Sequence, residues 1–346
     1  MNLSDFEFDL PADRIAQAPL PERDASKLLV LDRRSGEIAH HAFRDLPDLL
    51  DPTDLVVVND TRVIPARLSG RKEKTGGRVE ILLVREREEG LWDCMAKGTG
   101  RLRPDTALAF EDGVRGVVET RPDADRVQVR FSPKAGFREW VGRRGRVPLP
   151  PYIRRPEAPE DRERYQTVFA ENAGAIAAPT AGLHFTPELL KRLEARGIGR
   201  AALTLHVGPG TFRPIRAARV EDHVMDAEET HIPPETARKI LETRAGGGRI
   251  VAVGTTVVRT LEGRVEASPR GEISLRPGRS AVSLFITPGH RLRLVGGLVT
   301  NFHLPGSTLL LLVAAFAGRE RILEAYDEAL RKGYRFYSYG DAMWIR

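Results

Sequence analysis

The apolar run Leu55-Val56-Val57-Val58 leads without a break into Asn59-Asp60-Thr61-Arg62. A continuous run of this kind fits a strand buried on both faces, which is the habit of a parallel sheet covered by helices. The texture recurs later in the chain. Ala175 to Ala178 reads as a strand leading into Pro179-Thr180-Ala181-Gly182-Leu183-His184-Phe185. Ala201 to Val207 leads into Gly208-Pro209-Gly210-Thr211, and Arg249 to Val253 into Gly254-Thr255-Thr256. Leu292 to Val295 and Leu298-Val299 lead into Thr300-Asn301-Phe302-His303-Leu304-Pro305-Gly306-Ser307. In open α/β sheets, ligands sit beyond the carboxyl ends of the strands. A chain that repeatedly places His, Thr, Asn and Gly there is expected to build one site from many loops.

Helix signals separate these runs. Thr186 is placed to cap a helix with Pro187 at its first position, Leu189, Leu190 and Leu193 on one face, and Gly197 past its end. Val257, Leu261 and Val265 mark a second, and Ser307–Ala317 and Arg319–Lys332 two more. Tyr334 to Tyr339 reads as a closing aromatic strand. Between Ala66 and about Phe131 the pattern changes to short alternating runs split by turn clusters such as Lys74-Thr75-Gly76-Gly77. No helical period intervenes, which predicts a small antiparallel β-barrel. The expected fold class is an α/β main domain of layered αβα type, carried by residues 1–65 and 151–346, with the barrel inserted at 66–150.

The chain has 346 residues, 41% of them hydrophobic, which is enough for two domains with a sizeable core. A lone Cys94 forms no intrachain disulfide and holds no metal by itself, so a cytoplasmic protein is expected. The acidic start Met1-Asn2-Leu3-Ser4-Asp5 is unlike a signal peptide. The longest apolar run, Leu309 to Ala317, is well short of the roughly 20 residues a membrane span needs. The net charge of +6 permits a polyanionic partner. Arginine supplies 46 of the 54 basic residues, an excess read more simply as a bias of composition than as a nucleic-acid signature.

His184, His206 and His303 lie near three predicted strand ends and are the acid–base candidates, because imidazole titrates near neutrality. Glu228 and Asp341 are the carboxylate candidates. No metal is expected: His223-Val224-Met225-Asp226-Ala227-Glu228 lacks a zinc-ligand spacing. Gly254-Thr255-Thr256 opens a helix and suits an anion, although the same residues also make an ordinary cap. The full glycine fingerprint of dinucleotide sites is absent. Arg138, Arg143, Arg144, Arg146, Arg154 and Arg155, with Trp140 and Tyr152 among them, suit phosphate contact and base stacking where the insertion rejoins the main domain.

Taken together, these blocks give the chain a family resemblance. Asn59 to Leu68, Arg164 to Val168, Ala178 to Thr186, Leu205 to Phe212, Val253 to Glu262, Thr300 to Leu310 and Tyr334 to Met343 resemble the S-adenosylmethionine:tRNA ribosyltransferase-isomerases of the queuosine pathway. The resemblance covers essentially the whole chain. It implies a tRNA substrate carrying 7-aminomethyl-7-deazaguanine at the wobble position. The ribose of S-adenosylmethionine, a co-substrate rather than a bound cofactor, is transferred and isomerised onto the aminomethyl group. Epoxyqueuosine-tRNA, adenine and methionine result. A monomer without membrane attachment is expected. The residues expected to bind substrate are Thr180, Gly182, Gly208, Thr211, Gly254, Thr255, Thr256, Arg259, Asn301 and Ser307. Two segments depart from the pattern: Asp226 stands where a second His is usual, and Gly98 and Gly100 stand where a Pro and a further basic residue are usual. The alternatives are another S-adenosylmethionine-dependent RNA enzyme, such as a methyltransferase, and a non-catalytic RNA-binding factor.

Overall fold

A computed structural model describes the chain apart from residues 98–101, 123–124, 209, 211–214, 216–218 and 269–270. Strands β1 (Lys27–Leu31), β2 (Ile38–Ala42) and β3 (Leu55–Asn59) belong to the main domain, and β4 (Thr61–Val63) leads out of it. Six strands follow: β5 (Arg67–Lys72), β6 (Arg78–Glu88), β7 (Leu91–Lys97), β8 (Ala107–Ala109), β9 (Arg115–Thr120) and β10 (Arg126–Ser132). The chain then returns through β11 (Asn172–Ala175), β12 (Gly199–Leu205), β13 (Glu228–Ile232) and β14 (Ile250–Val253). A short hairpin, β15 (Val265–Ala267) and β16 (Ile273–Leu275), precedes β17 (Gly278–Val282), β18 (Val295–Asn301) and β19 (Ala342–Ile345).

The large sheet has the order β17-β13-β12-β3-β14-β18-β19-β1-β2. Its centre, β12-β3-β14-β18, is parallel. The alternation of side chains divides these strands between two cores. Leu55, Val57, Leu203, Ile250, Ala252 and Leu298 pack under the helices Pro234–Ala245, Thr255–Arg264, Thr308–Ala317 and Arg319–Arg331. Val56, Val58, Val251, Val253 and Val299 face Phe43, Phe185, Leu189 and Leu193, the last two on the helix Pro187–Ala195. This is the layered αβα arrangement. Thr186 caps that helix as expected, its hydroxyl accepting from Leu189 N at 3.0 Å.

The six inserted strands close into a barrel of order β10-β7-β6-β5-β8-β9, antiparallel throughout. Alternate residues such as Val79, Ile81 and Leu83, and Val127, Val129 and Phe131, fill it. Phe137, Trp140 and Val141 of the helix Phe137–Arg144 join the same core. The two ends of the insertion cross closely. A Cβ on Gly145 would lie 1.9 Å from Pro65 O.

Two strands fall elsewhere than expected. The one read at Ala175–Ala178 runs over Asn172–Ala175 and pairs with β4, apart from the large sheet. Ile176, next in line, packs into the barrel core and draws the chain away. The aromatic segment Tyr334–Tyr339 is irregular, with an isolated bridge from Phe336 to Ile15 before it turns, and the last strand is β19. Tyr337 takes φ 74°, and Asp341 folds back to accept from Arg335 N at 2.8 Å.

Candidate active site

The four parallel strands end together, so Leu205, Asn59, Val253 and Asn301 share one edge. Asn59 ties that edge. Its Oδ1 accepts from Leu205 N at 3.0 Å and Thr61 N at 3.2 Å, and its Nδ2 donates to Leu205 O at 3.0 Å and Thr256 Oγ1 at 3.4 Å. Asp60, also buried, accepts from Thr204 Oγ1 at 2.7 Å. The residue after Leu205 is therefore held at a fixed place, and that residue is His206.

A cavity of about 900 Å³ opens here, between the strand edge and the outer wall of the barrel. His206, Gly208 and Glu228 line it from the sheet side. Asp93, Met95, Arg126 and Gln128 line it from β7 and β10. Burial pulls His206 below the usual imidazole range; Glu229 and Asp60 oppose the shift and Arg279 adds to it. The shift favours the neutral ring at pH 7. Glu228 is 7% exposed and forms a buried ion pair with Arg259. Its Oε1 also accepts from Gly208 N at 3.1 Å. Arg259 donates Nε to Leu284 O at 3.1 Å, and its Nη2 is buried with no partner among the described residues. Ion pairs cross from the barrel to the main domain at the cavity, among them Arg85 with Glu229, and Arg126 with Asp226 at 3.0 Å. Cys94 is no nucleophile, because burial pushes its thiol well up.

A second set of expected site residues lies together but apart from this cavity. Thr180 Oγ1 donates to Asn301 Oδ1 at 2.9 Å, and Asn301 Nδ2 donates to His184 Nε2 at 3.1 Å. His184 Nδ1 meets Ser26 Oγ at 3.0 Å, and the ring stacks on Phe43. Burial pulls His184 down to about 4. His303 is down to about 3 for the same reason, with Nε2 2.9 Å from Thr300 Oγ1. Asp341 is 2% exposed and accepts from Lys27 N at 3.0 Å and Arg335 N at 2.8 Å, a bracing role. Ser307 caps a helix through Leu310 N. Gly182 makes room for Phe169 and Thr167, where a Cβ would come within 2.7 Å and 2.8 Å. Gly254 opens the helix Thr255–Arg264 at φ 94°, and Thr255 and Thr256 are buried in its first turn. So the expectation that all these loops line one cavity is corrected. The Leu205–Gly208 loop reaches the cavity, and the loops at Thr180, Gly254 and Asn301 are buried beside it. Thr211, Gly98 and Gly100 lie outside the described residues.

The arginine cluster also divides. Arg138 pairs with Glu86, Arg144 chelates Asp112 at 2.8 and 2.9 Å, and Arg155 chelates Asp161 at 2.6 and 2.8 Å. Arg143, Arg146 and Arg154 are exposed and form no ion pair among the described residues, Arg143 acting on Asp112 only through space. Trp140 is 5% exposed inside the barrel core and Tyr152 is half-buried against Tyr337, so neither offers the free face that base stacking needs. Nothing in the sequence marks Arg62 and Arg162 as cavity residues. Both are exposed and line the cavity, and among the described residues they donate only to carbonyl oxygens: Arg62 to Ala170, Arg162 to Gly142 and Gly145. The barrel wall was also missed, since its cavity-facing residues look like ordinary alternating strand positions. Among the described residues, no three His, Cys, Asp or Glu side chains are placed to hold a metal, and no helix is long and apolar enough to cross a membrane.

Sheet edge, barrel wall and shared cavity define an enzyme of the barrel-inserted α/β class. The family model described as "Queuosine biosynthesis protein" matches residues 3–345. The S-adenosylmethionine:tRNA ribosyltransferase-isomerase of Pelobacter propionicus is 53% identical, with 100% of both chains covered. That of Geobacter sulfurreducens is 50% identical over the same share. The crystal structure of the S-adenosylmethionine tRNA ribosyltransferase of Thermotoga maritima is 38% identical, covers 99% of this chain and 100% of its own, and superposes with a TM-score of 0.55. The chain belongs to the queuosine biosynthesis protein family.

Proposed function

We propose that this protein transfers and isomerises the ribosyl moiety of S-adenosylmethionine onto 7-aminomethyl-7-deazaguanine at the wobble position of tRNA. The products are epoxyqueuosine-tRNA, adenine and methionine. The observation that carries this reading is the cavity in which an imidazole held toward its neutral form and a buried carboxylate on the strand edge face the barrel wall. The sulfonium acidifies the 5′ carbon of the ribose, and a neutral His206 is fit to take that proton. Glu228 offers negative charge for the sulfonium or for the amine that must lose its own proton. Arg259 holds that carboxylate in place.

The tRNA reading rests on Arg62 and Arg162 at the cavity and on Arg143, Arg146 and Arg154 nearby in the chain. None of the five forms an ion pair among the described residues; Arg62, Arg146, Arg154 and Arg162 carry the charge for phosphate, and Arg143 shares its own with Asp112. The units are 66–150 as the inserted barrel and 1–65 with 151–346 as the catalytic part. A cytoplasmic monomer is the state in which tRNA would be met. The test is incubation with S-adenosylmethionine and tRNA bearing the aminomethyl base, followed by mass analysis of nucleosides and small products. Adenine and methionine support the reading. S-adenosylhomocysteine would make the protein a methyltransferase instead.

A further inference from the structure

His206 has two ring nitrogens, and the structure treats them differently. Nδ1 lies 2.8 Å from Thr61 Oγ1. Nε2 has no hydrogen-bond partner among the described residues, and the residue lines the cavity. A base needs a bare lone pair on the nitrogen that meets the substrate. Which nitrogen is bare depends on where Thr61 sends its single hydroxyl proton.

Thr61 is fully buried, so water does not complete its bonding. Among the described residues its Oγ1 has two hydrogen-bonding neighbours: His206 Nδ1 and the carbonyl of Asn172 at 3.4 Å. A carbonyl only accepts. If Thr61 donated to His206, two oxygen lone pairs would face each other across 3.4 Å with no proton between them. If Thr61 donates to Asn172 O, its oxygen accepts Nδ1–H and both contacts are satisfied. The position of Thr61 is fixed as well, since its N–H donates to Asn59 Oδ1 at 3.2 Å and β4 is paired with β11 at this residue. On the other side, Gly174 backs the ring: a Cβ there would lie 2.8 Å from Nδ1 and 2.9 Å from Nε2. The charged groups around the ring are Glu229, itself paired with Arg85, together with Asp60 and Arg279.

We infer that Thr61 is a positioning residue for the reaction: it holds His206 in the Nδ1–H tautomer, leaving Nε2 as the proton acceptor at the cavity. This rests on the reading of that cavity as the active site. The direct test is two-bond proton–nitrogen NMR of the histidine ring in the full chain, wild type, Thr61→Val and Thr61→Ser. The expected result is a neutral His206 ring protonated at Nδ1 in wild type and Thr61→Ser, with the proton moving wholly or partly to Nε2 in Thr61→Val. A wild-type ring carrying its proton on Nε2 overturns the inference without any substrate being present, so its failure is distinct from failure of the proposed reaction. In turnover, Thr61→Val should lower kcat by at least about 10-fold, part of the 10²–10⁴-fold a positioned base supplies, with KM for S-adenosylmethionine little changed. Thr61→Ser should restore most of it. A Thr61→Val enzyme with unchanged kcat and pH profile would reduce the hydroxyl to a packing group.

Discussion

Acid should weaken this protein through His184, and the hydrogen bonds say why. Asn301 is fixed in orientation: its Oδ1 accepts from Thr180 Oγ1, and its Nδ2 also donates to Tyr337 O at 3.3 Å and Asp341 O at 3.4 Å. His184 Nε2 must therefore accept, and Nδ1–H donates to Ser26. A second proton on the ring would set N–H against N–H in a buried place. The ring holds at about 4 when folded, against about 6.5 unfolded. Between those values the unfolded chain binds more protons, so stability falls as pH falls and the loss is complete below the folded value. This amounts to about 2 kcal/mol at about pH 5 and about 3 kcal/mol at the limit. Urea unfolding at about pH 7.5 and about pH 5 measures it, with His184→Gln as the non-titrating control. The variant should lose stability at neutral pH, yet show a pH-dependence smaller by about 2 kcal/mol. An unchanged pH-dependence in the variant would refute the argument.

Other perturbations test other parts. Glu228→Ala leaves Arg259 charged and buried without its carboxylate, and should cost about 3–5 kcal/mol in thermal or urea unfolding, apart from any loss of activity. Gly145→Ala drives a methyl against Pro65 O at the crossing of the two domain connections, and should sharply reduce the yield of folded protein. Replacing Arg62 and Arg162 by Ala should flatten the slope of log tRNA affinity against log salt by between about 1 and 2 units, and an unchanged slope would place the RNA elsewhere.

Much of the fold was legible because hydrophobic period follows backbone geometry. The run at Leu55–Val58 and the alternation at Val127–Phe131 each belong to the expected kind of strand. Ala175–Ala178 misled, because a short apolar run does not reveal that Ile176 will anchor in another domain's core. The site was less legible. His184, His206 and His303 look alike in sequence, since each follows an apolar run into a polar loop. What separates them is burial and partners, which depend on contacts distant in the chain such as Ser26 and Thr61. The cationic edge was hard to read for the same reason. A count of arginines does not show that Arg144 and Arg155 meet Asp112 and Asp161 while Arg62 and Arg162 meet carbonyl oxygens.

If chemistry happens between the strand edge and the barrel, a crystal structure of the protein with S-adenosylmethionine will place the ligand in the cavity lined by Gly208 and Glu228, with the ribose 5′ carbon about 3–3.5 Å from His206 Nε2. A ligand bound instead against His184 and Asn301, with the cavity empty, would contradict it.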